Sequence, residues 1–164
     1  MSLYIKLCGL ALMMIAALAI SKGYREYVNR RISEQESFVS LLRHLEGRIR
    51  RYLMPIGEAL GDFSDENLSR LGFFDGLANG EGLSQIFERL SPRFSLGEET
   101  RAALSEIFSR ISLGYKDEVI SEICDGAIRL EKILEKERVE LRKNERVASV
   151  VLVASVFGAF ILLV

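Results

Sequence analysis

Two uninterrupted apolar stretches, Leu7 to Ile20 and Val147 to Val164, bracket a segment in which apolar residues recur at helical intervals. The second stretch holds no charged side chain. A membrane-crossing helix needs roughly 17–25 mostly apolar residues, because each advances about 1.5 Å through a hydrocarbon core about 30 Å thick. Val147 to Val164 meets that length, Ser149 and Ser155 can return their hydroxyls to the helix backbone, and Gly158 with three alanines suits close helix contact in lipid. Leu7 to Ile20 is shorter. Leu3, Tyr4 and Ile5 extend it past Lys6, whose stem reaches toward headgroups. Ala17-Leu18-Ala19 has the small-x-small form of a signal-peptide cleavage site, but the basic cluster that follows favours a retained anchor. The expectation is a transmembrane helix at each end, residues 1–21 and 147–164, around a helical domain at 22–146.

Within that domain the spacing predicts helices throughout, and no alternation of the strand type persists beyond a few residues. From Ser33, the positions Phe38, Leu41, Leu42, Leu45, Ile49, Tyr52 and Leu53 share one helix face. Pro55 interrupts, and it opens a second helix at its first turn, where a missing N–H does no harm; Ile56, Ala59, Leu60 and Phe63 continue it. Ser64 to Asn67 reads as a cap and restart, and the glycines at 72, 76, 80 and 82 predict short helical pieces joined by turns. A brief helix over Leu83 to Leu90 ends before Pro92, and another covers Glu98 to Ile111. Leu113-Gly114 breaks the chain before the longest helix, which begins near Lys116. Its residues Ile120, Ile123, Ala127, Leu130, Leu134 and Leu141 form a coiled-coil-like seam, with a solvated, self-paired charged surface at Glu131, Lys132, Glu135, Lys136, Glu137 and Arg138. The fold class is therefore all-α: a helical bundle flanked by an N-terminal and a C-terminal transmembrane helix.

Charge sets the expected orientation. Lys22, Arg25, Arg30 and Arg31 follow the first apolar stretch, while Lys136, Arg138, Arg142, Lys143 and Arg146 precede the second. Positive residues beside a span are held on the cytoplasmic side, which places the domain in the cytoplasm and both ends across the membrane. All 23 acidic residues and every basic residue except Lys6 lie between the two stretches. That near-neutral balance argues against nucleic acid as a partner. Cys8 and Cys124 are separated by the expected topology and read as small buried hydrophobes, not as a disulfide. One histidine, His44, and no Cys/His/carboxylate cluster leave no metal site and no base for a nucleophile.

No phosphate-binding loop is present, since Gly80-Glu81-Gly82 lacks a third glycine and a preceding strand. The acidic pairs Asp65-Glu66 and Glu98-Glu99 sit at helix starts, where the N-terminal dipole favours them. His44 reads as a surface or edge residue, and Phe73-Phe74 as core. No catalytic residue and no cofactor is expected. The one local charge excess is Arg43, Arg48, Arg50 and Arg51. It reads either as a solvated helix face that meets lipid headgroups or as a docking surface for an acidic partner.

Three ordered segments carry a family resemblance. Leu45-Glu46 followed by Pro55-Ile56-Gly57-Glu58-Ala59-Leu60, the turn Gly82-Leu83-Ser84, and Leu113-Gly114-Tyr115-Lys116-Asp117 together resemble the stage III sporulation protein AB family, as does the apolar finish Gly158 to Val164. Met54 and Ser121 depart from that pattern. The resemblance implies a non-enzymatic part of the secretion-like complex between mother cell and forespore. It also implies a domain similar to the cytoplasmic domains of the type II secretion and type IV pilus platform protein. The implied partners are a secretion-type ATPase of that complex, other sporulation membrane proteins, the lipid bilayer and further copies of the chain. The implied location is the mother-cell membrane around the forespore, crossed twice. Arg43, Arg48, Arg50 and Arg51 are the docking residues expected on this reading. A signalling protein that dimerises through its long helix is the alternative.

Overall fold

A computed structural model describes the backbone of residues 2–52, 54–113 and 116–163, and side chains within 9–158 apart from residues 10, 53 and 113–117. The helices run in the order α1 (Ser2–Tyr52), α2 (Ile56–Gly61), α3 (Glu66–Arg70), α4 (Phe73–Ala78), α5 (Leu83–Leu90), a 3-10 turn at Ser91–Arg93, α6 (Glu98–Leu113) and α7 (Lys116–Leu163). No strand occurs among the described residues. The chain forms two compact units: Arg30–Lys136, and Met1–Asn29 with Glu137–Val164.

The larger unit is organised around Phe38, which has no exposed surface. Phe94, Phe87, Phe73 and Phe108 surround its ring at centroid separations of 5.0, 5.7, 6.0 and 6.2 Å, the first three edge-on. Each such pair contributes about 0.5–1.5 kcal/mol beyond the burial of its area, because the positive ring edge meets a negative face. The partners come from α4, α5, α6 and the segment after the 3-10 turn, so one side chain of α1 gathers four parts of the chain. Leu83, Ile86, Phe87 and Leu90 are all buried, which accounts for an eight-residue α5 that would be unstable alone. Helix α3 begins where the Asp65 carboxylate accepts from Leu68 N–H at 3.0 Å. Pro55 precedes α2 as its cap residue instead of occupying its first turn.

Polar straps beside Phe38 fix α1 against the short helices. The amide of Asn67 on α3 donates to the hydroxyls of Ser33 and Ser37, at 2.8 and 3.0 Å. Gln35 donates to Thr100 on α6 at 3.0 Å. The fully buried carboxylate of Glu34 accepts from the backbone N–H of Ser95 and pairs with Arg30 at 2.8 Å and Arg70 at 3.9 Å. Where α7 crosses α6, Gly126 lets Ile107 approach so closely that a Cβ would lie 2.9 Å from its Cδ1. On α7, Val119, Ile123, Ala127, Leu130, Ile133 and Leu134 are buried, whereas Ile120 and Leu141 are only partly covered. The expected seam is thus displaced toward 119 and 133 and lies mostly inside the larger unit. Its charged surface also differs from expectation. Glu131 bonds Arg43 of α1, Lys136 bonds Glu99 of α6, and Glu137 is buried. Tyr52, expected on the apolar face of α1, is 64% exposed, while Leu53, Gly114 and Tyr115 lie outside the described residues.

In the smaller unit α1 and α7 run antiparallel. Arg25 bonds Glu145 at 2.8 Å, while Met14, Leu18 and Ser21 share a groove with Phe157, Val153 and Ser149. The hydroxyls of Ser149 and Ser155 donate to the carbonyls of Glu145 and Val151, four residues back, as the sequence suggested. The expected terminal transmembrane helices at 1–21 and 147–164 are corrected here. No helix among the described residues is long and apolar enough to cross a membrane.

Replacing Phe38 with Ala is expected to cost about 3–5 kcal/mol in urea unfolding. Gly126→Ala should cost about 1–3 kcal/mol because its Cβ meets Ile107. Gly57→Ala in α2, whose Cβ would meet nothing within 4 Å, should instead stabilise by about 0.5–1 kcal/mol. Equal effects at the two glycines would refute the close packing of α6 on α7.

Candidate functional site

Residues 43–52 of α1 place Arg43, His44, Gly47, Arg48, Arg51 and Tyr52 at intervals of three and four, the spacing that shares one side of a helix. Gly47 carries no side chain, and a Cβ there would meet nothing within 4 Å. Two shallow recesses adjoin it. One, of about 390 Å³, is lined by Arg43, Glu46, Arg50 and Arg51, and the other, of about 370 Å³, by His44, Arg48 and Tyr52 with Arg43 and Arg51. The helix ends immediately after, and Arg50 and Arg51 in its last turn are favoured by the negative end of its dipole.

The four arginines singled out from sequence have different surroundings. Arg43 is half-buried and pairs with acids of the bundle. Its Nε and Nη2 donate in a fork to the two oxygens of Glu131 at 2.8 and 2.7 Å, and its Nη1 donates to Glu46 at 2.8 Å. These hydrogen bonds push the guanidinium further up from its ordinary value, with that to Glu131 the larger cause and that to Glu46 next. In return Arg43 holds the carboxyls of Glu46 and Glu131 below their usual range. Arg48 lies 3.3 Å from Asp62 and stacks over the Tyr52 ring at 5.7 Å. Arg50 is 72% exposed and only loosely paired with Glu46, at 3.9 Å. Arg51 is exposed and has no ion pair among the described residues. The outward cations are therefore Arg50 and Arg51, with Arg48 at the edge. Planar guanidiniums so placed suit the carboxylates or phosphates of a partner.

Two roles had no signal in the sequence. His44 donates from Nε2 to the carbonyl of Ala59 at 3.0 Å, and its ring lies 5.1 Å from Phe63, so it pins α2 to α1. The carbonyl can only accept, which sets the donor. Cys124 is half-buried, not fully buried, and its thiol is pushed up by a hydrogen bond with Glu46 and by burial. A protonated thiol beside a carboxylate is a poor nucleophile. Phe73 is fully buried and Phe74 packs against the core, as expected of that pair. Glu98 and Glu99 open α6, and Asp65 caps α3.

The Arg43 triad yields a pH dependence whose sign follows from the two carboxyls. Each is lowered in the folded chain by Arg43, so its stabilising contribution is complete above about pH 4.5 and is lost as pH falls through the lowered folded value. In urea unfolding, Arg43→Ala should be less stable than wild type at pH 7 and pH 5, and the gap should close under further acidification. A gap of constant size down to pH 3 would show that the triad contributes nothing through charge.

Among known families, the model for stage III sporulation protein AB matches residues 6–164 of this chain. No curated protein and no solved structure matches it.

Proposed function

The chain belongs to the stage III sporulation protein AB family, and on that premise we propose that it is a non-enzymatic subunit of the sporulation complex between mother cell and forespore. It acts as a platform that docks a secretion-type ATPase and other sporulation membrane proteins. The observation that carries this reading is the outward cationic face around Gly47, where Arg50 and Arg51 are not consumed by the bundle's own acids. A surface of exposed guanidiniums at a helix end steers an acidic partner and fixes its orientation. Arg43, paired with Glu46 and Glu131, lines both recesses of the same face.

The proposed location is the mother-cell membrane around the forespore, with the larger unit on the cytoplasmic side. Two features support it: the basic residues at 22–31 and 136–146, and the exposed apolar residues of the smaller unit, among them Leu12, Ile15, Leu18, Val150 and Phe157. Apolar surface of this extent needs a cover, and lipid supplies one. Dimerisation through the α7 seam, the signalling alternative, is disfavoured because Ile123, Ala127 and Leu130 are already buried in the bundle.

Co-purification of the full-length chain from solubilised membranes of sporulating cells, with mass spectrometry of what accompanies it, tests the platform reading. An ATPase of the secretion type should be recovered with wild type. The double variant Arg50→Glu, Arg51→Glu should recover it about tenfold less or worse while melting at the same temperature as wild type. Unchanged recovery would remove this face as the dock, and recovery of the chain alone as a dimer would favour the signalling alternative.

A further inference from the structure

The groove of the smaller unit encloses about 270 Å³ and is almost wholly apolar. Met14, Leu18 and Ser21 line it from α1, and Ser149, Val153 and Phe157 from α7. The helices beside it remain apolar outward, with Leu12, Ile15, Val150 and Val151 between 57% and 68% exposed. At the serine end the chemistry changes within one turn. Lys22 and Arg25 follow Ser21 on α1, and Arg142, Lys143 and Arg146 precede Ser149 on α7. Because the helices are antiparallel, both basic groups fall at the same end of the groove.

Those cations are not equivalent. Arg25 is held by Glu145 at 2.8 Å, and Lys22 lies 3.8 Å from Glu26. Arg142, Lys143 and Arg146 are exposed and have no ion pair among the described residues. Arg142 and Arg146 also stand seven and three residues before Ser149, on the stripe of α7 that continues into Val153. At 1.5 Å per residue, Arg146 is about 4.5 Å along the axis from the mouth of the groove.

An apolar trough ending in uncompensated cations is complementary to an amphiphile with an anionic head and a hydrocarbon tail. An acidic peptide would satisfy the cations and leave the trough open to water. A neutral apolar helix would fill the trough and leave the cations without a partner, and a second copy set parallel would bring like charges together. We infer that the smaller unit binds an anionic phospholipid, with an acyl chain along the groove and the phosphate at Arg142, Lys143 and Arg146. This deepens the bilayer contact proposed above. Its readout is independent of ATPase recovery, so either can fail alone.

The test is flotation of the full-length protein with vesicles of phosphatidylcholine, with or without phosphatidylglycerol. Phosphatidylglycerol should raise the bound fraction, and added salt should weaken that gain, since exposed charges are screened. The triple variant Arg142→Gln, Lys143→Gln, Arg146→Gln should bind the anionic vesicles about 10–100-fold less and phosphatidylcholine as wild type does. Ala17→Phe, which fills the half-buried groove wall, should lower binding to both kinds of vesicle. Should the triple variant melt early, Arg146→Gln alone with a salt titration carries the same comparison. Equal binding to the two vesicle types, or a triple variant indistinguishable from wild type, would overturn the inference. So would release of the protein by millimolar inorganic phosphate, because the tail would then be dispensable, or a stable lipid-free dimer that no vesicle displaces.

Discussion

Everything in the larger unit depends on the burial of one ring. Phe38 sits on α1 with no exposed surface and touches aromatic side chains from four other segments. Helices α2, α3 and α4 have six, five and six residues, and α5 has eight. Isolated helices of that length do not persist in water, because the cost of nucleation is spread over too few hydrogen bonds. Helices α4 and α5 borrow their order from the aromatic cluster through Phe73 and Phe87, while His44 pins α2 and Asn67 straps α3 to α1. The polar straps then make the arrangement specific. Ser33, Glu34, Gln35 and Ser37 occupy the turn of α1 just before Phe38 and reach α3, α6 and the segment after the 3-10 turn. Apolar contact holds these helices close, and the buried hydrogen bonds choose their register, since leaving any of those groups unpaired would cost about 1–3 kcal/mol.

The same helix serves both packing and display. One stretch of α1 after Phe38 buries Leu41, Leu42, Leu45 and Ile49, while Arg50 and Arg51 point outward on the last turn. Arg43 lies between these roles. Its fork to Glu131 ties α1 to α7, and a third hydrogen bond goes to Glu46. A cation held by two carboxylates adds rigidity to the face, and its charge is largely offset by those acids. Basic residues on one helix face are therefore not one functional group, and their acids decide which of them are available.

The smaller unit has a different logic. Apolar residues there remain exposed instead of forming a core, and the uncompensated cations of α7 are concentrated in the turn before them. A bundle buries its hydrocarbon against itself, while this pair of helices offers hydrocarbon and positive charge together at one end. Family membership places the chain in sporulation. The cationic face of the larger unit and the amphipathic end of the smaller one are two chemically distinct surfaces.

The helical periodicity was legible in the sequence because it depends on local spacing alone. The bounds of α5 at Leu83 and Leu90, the start of α6 at Glu98 and the end of α1 before Pro55 follow from apolar intervals, caps and helix breakers that act within a few residues. The core status of Phe38 and Phe73 could be read in the same way. The length of the apolar ends misled, since composition suggested spans that the described helices do not supply. Partnerships over long separations left no trace in spacing. Arg43 and Glu131 are 88 residues apart, Arg25 and Glu145 are 120 apart, and Glu34 reaches Ser95 across 61. By itself the sequence determined which residues form helices and where apolar residues recur along them, because backbone hydrogen bonding and side-chain hydrophobicity are local properties. Only the tertiary structure decided which arginines are neutralised, where Gly126 must be small and which ring sits at the centre, because those depend on what another part of the chain brings within a few ångströms.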